Sequence, residues 1–132
     1  MKYIVGLSML VCVAFAKKIP PPLVDSWNDF IGKVADVCIQ ETLSESETIK
    51  TMLTQNEFPV EESMHCFFKC LYEKYDIMLP NGEMVKDMMV KLIDHVTSEI
   101  ANTCVDQAQS ETSSCKKAHK IAACIVKVNL VD

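Results

Sequence analysis

The sequence predicts an all-α protein, a compact six-helix domain stapled by three disulfides around an internal hydrophobic cavity. Three observations carry that expectation. Apolar residues recur at three- and four-residue steps in successive segments, and no run alternates with the two-residue period of a half-buried strand. Six cysteines stand in residues 17–132, an even count that in a small secreted chain implies three disulfides. The first 16 residues read as a leader that directs the chain to an oxidising compartment.

That leader begins with Lys2 and continues as an apolar run, "YIVGLSMLVCVAF", ending in Ala14-Phe15-Ala16. A basic start, a short apolar stretch and a small-x-small site make a secretory signal peptide with cleavage expected after Ala16. The run is too short for a transmembrane anchor, which needs roughly 20 apolar residues. Cys12 would leave with the leader. Residues 17–132 then form one small domain. Loss of Lys2 takes the formal net charge from −5 to −6, and the chain contains no arginine. An acidic chain without guanidinium forks is poorly suited to nucleic acid, phosphate or anionic membranes.

The elements follow in order. "KKIPPP" at 17–22 is expected to be an extended leader, kept from helix by its prolines. Leu23, Trp27, Phe30, Ile31, Val34 and Cys38 fall on one apolar face of a first helix. Ser44-Glu45-Ser46-Glu47 reads as a capping box before a short second helix with Ile49, Met52 and Leu53. "QNEFP" is a loop, and Pro59 suits the first turn of a third helix. There Met64, Phe68, Leu71 and Tyr75 share a stripe, whereas Phe67 falls with Ser63 and Lys74 and is expected to be less central. "LPNG" at 79–82 is a turn.

A fourth helix is expected over about Glu83 to His95. Its polar residues Lys86, Asp87, Lys91 and Asp94 span an arc of about 140°. Met84, Val85, Met88, Met89, Leu92 and Ile93 cover about 180°, more than the roughly 100° stripe of a surface helix. A fifth helix runs from about Thr97 to Gln107 with Cys104. A sixth starts near Cys115 and places Ala118, Ile121, Ala122, Ile125 and Val128 on one face. The chain ends in "VNLVD", an apolar stretch for a terminus.

The cysteines Cys38, Cys66, Cys70, Cys104, Cys115 and Cys124 admit many pairings. Cys66 and Cys70 lie one turn apart on a helix with parallel side chains, so a bridge between them fits badly. Cys115 and Cys124, if both helical, are about 13.5 Å apart along the axis and cannot bond. Several connectivities remain, and all of them staple the third and the last helix to two other places each. Bridges contribute roughly 2–4 kcal/mol apiece. A domain held this way need not fill its centre and can keep an internal cavity.

The spacing Cys38-x27-Cys66-x3-Cys70-x33-Cys104-x10-Cys115-x8-Cys124, with the leader, the length and the helical pattern, resembles the insect odorant-binding proteins of the pheromone- and general-odorant-binding superfamily. The x3 and x8 intervals are the most specific part, and the resemblance covers residues 17–132. It implies the pairing Cys38–Cys70, Cys66–Cys115 and Cys104–Cys124, which is compatible with the helix geometry above. It implies a secreted carrier that takes odorants, pheromones or related lipids into its cavity and moves them through extracellular fluid such as sensillar lymph. A chemosensory receptor is the further partner it implies, and a monomer or weak homodimer the expected state. No cofactor, no nucleic acid and no stable membrane insertion are expected. The resemblance further implies that a short tail folds over the cavity and that acid loosens it.

Other chemistries fare worse. His65 and Cys66 are adjacent and point about 100° apart on a helix, so with Cys70 they make a poor metal site, and none is expected. A redox pair would be Cys-x-x-Cys, which is absent. Asp94-His95 reads as solvated surface rather than a hydrolase pair, and His65 and His119 read likewise, so no enzyme is expected. The cavity wall is expected to include Met84, Met88 and Met89, whose soft side chains adapt to varied ligands. Met52, Met64, Phe68, Leu71 and Leu92 join them, with Ile121, Ile125 and Val128 from the last helix and Leu130 and Val131 from the tail. The rival readings are a saposin-like membrane-lipid-interacting protein and a secreted helical signalling protein.

Overall fold

The computed structural model describes residues 17–55, 58 and 61–132. The expected signal peptide with Cys12, and Pro59, lie outside the described residues. Among these, seven α-helices follow one another: α1 (Pro21–Gly32), α2 (Ala35–Thr42), α3 (Ser46–Thr51), α4 (Glu62–Lys74), α5 (Lys86–Leu92), α6 (Ser98–Gln107) and α7 (Ser114–Val128). The described residues contain no strand, only two isolated bridges, Lys18 with Val131 and Met78 with Met84. The fold is all-α, as the periodicity predicts.

Four local expectations are corrected. The first predicted helix is two, which makes seven helices rather than six. Gly32 weakens a helix interior by roughly 1 kcal/mol relative to alanine. Two residues later Val34 leaves helical geometry (φ −123°, ψ 3°), and its N–H bonds to the Ile31 carbonyl three residues back at 3.2 Å. The prolines do not hold the chain out of helix either. Pro20 is the N-cap, and Pro21 and Pro22 form the first turn of α1, where a missing N–H breaks no helical bond.

Ser44 caps nothing. Leu43 closes α2 in the left-handed region (φ 56°), and the chain turns so that Ser44 is buried. Its hydroxyl donates to the Ser63 carbonyl at 3.0 Å, which ties the α2–α3 turn to α4. The predicted fourth helix shrinks to α5, because residues 77–85 form a tight reversal. The Gly82 N–H donates to the Leu79 carbonyl and the Val85 N–H to the Ile77 carbonyl, at 2.8 and 2.7 Å. Gly82 sits at φ +91°, and a Cβ there would come 2.9 Å from the Ser114 hydroxyl, so this turn needs glycine. Met84 and Val85 are thereby drawn out of the helix, and Ile93 leaves it at the other end with extended backbone.

Disulfides join Cys38 to Cys70, Cys66 to Cys115 and Cys104 to Cys124, the pairing that the resemblance implies. They link α2 to α4, α4 to α7, and α6 to α7. Each of the last two helices has a side-chain cap: Thr97 accepts from the Ile100 N–H, and Ser113 from the Lys116 N–H. The core lies between α4 and α7 and includes Met64, Leu71 and Ile121. Phe67, expected to be peripheral, is 0% exposed and packs edge-to-face on Phe68 with ring centroids 5.6 Å apart. The helical-wheel argument fails there because α4 buries more than one stripe, lying between α2 and α7.

Candidate ligand cavity

An apolar cavity lies beside this core. Two elements build one wall: α4 gives Phe68, Leu71 and Tyr72, and α7 gives Ala122, Ile125 and Val126. The facing wall comes from α1 with Trp27, Phe30 and Ile31, from Met52 and Leu53 just after α3, and from Phe58 and Ile93. The empty space there is about 400 Å³ when the solvent at its open mouth is counted.

The cavity surface is wholly apolar, and the indole N–H of its wall is engaged elsewhere. The Trp27 Nε1–H donates to the Asp94 carbonyl at 2.9 Å. The Tyr75 hydroxyl donates to the Phe30 carbonyl at 2.6 Å, and its ring stacks on Phe30 with centroids 4.2 Å apart. These contacts fix the two α1 aromatics from behind. Burial pushes the Tyr72 hydroxyl well above the usual phenol pKa, so this side chain stays neutral. Phe58 stacks on Phe68, centroids 5.2 Å apart.

A second, outer cavity adjoins the first. It shares Met52, Leu53, Phe58 and Val126 with it and adds Ile19, Ala123, Lys127 and Leu130. Ile19 and Leu130 meet at this cavity. Lys18 and Val131 exchange both backbone N–H···O=C bonds at 2.8 Å, which ties the Lys18–Ile19 segment to the Leu130–Val131 segment beside this cavity.

Of the residues expected on the wall, Met52, Phe68, Leu71 and Ile125 meet in the inner cavity, and Leu130 joins Met52 in the outer one. The others line neither. Met64, Met89 and Ile121 are fully buried in packed core. Met84, Met88 and Leu92 are half-buried against it, because shortening α5 removed the broad apolar arc. Val128 and Val131 remain 46% and 45% exposed, since the tail runs toward Lys18. Trp27, Phe30 and Ile31 were legible as a helical face but not as a wall. Tyr72 carried no signal, because its neighbours on the wheel include polar residues.

The histidines also differ from expectation. His65 on α4 and His119 on α7 are half-buried with ring centroids 4.3 Å apart, and His119 lies 5.3 Å from Phe58. The His65 Nδ1 is buried and has no partner among the described residues. Asp94 and His95 pair at 3.1 Å with both side chains at least half exposed. No group of three metal-ligating side chains occurs among the described residues.

Comparison with known proteins fits this geometry. The model of the PBP/GOBP family matches residues 23–128. The chain is 24% identical over 139 aligned positions to "General odorant-binding protein 99a" of Drosophila melanogaster, covering 100% of this chain and 94% of that one. No solved structure matches.

Proposed function

Since the chain belongs to the PBP/GOBP family, we propose that it is a secreted carrier of small hydrophobic molecules. It takes an odorant, pheromone or related lipid into the inner cavity and moves it through aqueous fluid such as sensillar lymph. The observation that supports this best is the cavity itself, whose surface is wholly apolar. Burial of the ligand's apolar area drives association at roughly 25 cal/mol per Å², before the costs of immobilisation. No bond is made or broken. The Asp94–His95 pair lies on the surface and is not on the cavity wall. Leu130 supports a role for the tail as part of the cover. No helix among the described residues is long and apolar enough to cross a membrane, and a saposin-like reading is not favoured.

The test is saturable displacement of N-phenyl-1-naphthylamine by volatile lipids. Trp27 is the chain's single tryptophan and lines the cavity, so occupancy also changes its emission. Ala122→Phe puts a ring into the inner cavity and is expected to weaken binding at least tenfold while the far-UV circular dichroism stays helical. Wild-type protein that binds neither probe nor lipid sinks the reading.

A further inference from the structure

We propose that the preferred ligand is an anionic amphiphile, a hydrocarbon chain with a carboxylate head, whose chain fills the inner cavity while its head meets Lys127. This rests on the carrier reading above and names the ligand class for it. The inner wall offers no polar atom on its surface. A buried polar group left without a partner costs roughly 1–3 kcal/mol, so a head group cannot go there. It has to stay at the outer cavity, which adjoins the inner one at Met52, Leu53, Phe58 and Val126.

Lys127 is the single charged side chain among the residues lining that outer cavity. It is exposed in the last turn of α7. Lys69, Lys74 and Lys120 are engaged by carboxylates, whereas Lys127 pairs with none among the described residues. A lysine suits this position, since its methylene stem can lie along an apolar wall while the ammonium stays in water. Lys18, exposed beside the lining Ile19, adds positive charge at the same end. Asp132, exposed next to Val131, opposes it. The chain is acidic as a whole, so attraction of a carboxylate is local to this mouth and not a property of the surface at large.

The experiment compares dodecanoate and dodecan-1-ol as competitors of N-phenyl-1-naphthylamine, at neutral pH, with wild type, Lys127→Gln and Tyr72→Phe. Wild type is expected to favour dodecanoate. Lys127→Gln should weaken dodecanoate by roughly two- to fivefold, the range of an exposed ion pair, and leave dodecan-1-ol unchanged. Raising the salt concentration should shrink the wild-type preference. Equal affinities in wild type, equal losses for both competitors, or a preference moved by Tyr72→Phe instead of Lys127→Gln would each overturn the proposal. If wild type binds no probe at all, the carrier reading itself fails.

Discussion

The two walls of the cavity are held in different ways. The α4–α7 wall belongs to a set of helices that the disulfides bolt together, with Cys66–Cys115 joining its two members directly. No disulfide reaches α1, the residues after α3, or Ile93 on the facing wall. That side is kept by apolar packing and by single directed bonds, Trp27 Nε1 to Asp94 and Tyr75 Oη to Phe30. A disulfide contributes roughly 2–4 kcal/mol, and a single hydrogen bond about 1 kcal/mol net. The difference makes one wall a fixed reference and the other adjustable. A guest larger than the present space would be accommodated by movement of α1 and the Met52–Leu53 segment, with α4 and α7 staying in place.

The comparison breaks most visibly if the bolts are removed. Cys66→Ala together with Cys115→Ala should lower the unfolding free energy by roughly 2–5 kcal/mol, read from the urea midpoint. If the double variant unfolds at the same midpoint as wild type, the covalent wall is not what distinguishes the two sides. On the opposite wall Tyr75→Phe should cost about 1 kcal/mol, leaving the Phe30 carbonyl to water. Hydrogen exchange should then rise in α1 and not in α7; equal changes in both helices would argue that the walls are mechanically one.

The smallest effect at neutral pH concerns Tyr72. Burial raises its folded pKa above the ordinary value near 10. Below about pH 10 both folded and unfolded chains hold the proton, and its contribution is fully present. Above that the unfolded chain ionises first, so stability falls as pH rises toward the folded pKa. Tyr75 shifts the same way, from burial. Tyr72→Phe should flatten the alkaline limb of a stability–pH profile; a limb identical to that of wild type would mean that Tyr72 ionises freely in the folded protein.

The legible part of the fold was what a one-dimensional pattern encodes. The Met64–Phe68–Leu71 stripe and the Ala118–Ile121–Ala122–Ile125 face predicted α4 and α7, and both are buried as expected. Helix ends were less legible. Ser44 had a capping pattern but found the Ser63 carbonyl across the fold, a competitor that lies 19 residues away. The methionines of the α5 region looked like a wall because their arc was wide, yet the turn at Gly82 took Met84 out of the helix before that arc could form.

The cavity shows the same division most clearly. Residue types and spacing determined an all-α, acidic, six-cysteine domain with two cysteines on α4 and two on α7, because helix periodicity and cysteine position are local properties. Which apolar residues line empty space and which fill core was decided by tertiary structure alone. Met52 and Met89 are chemically equal and both buried, but only Met52 faces the cavities. A void is a property of the gap between elements, set by where α1, α4 and α7 come to rest against one another, and no single segment of sequence contains it.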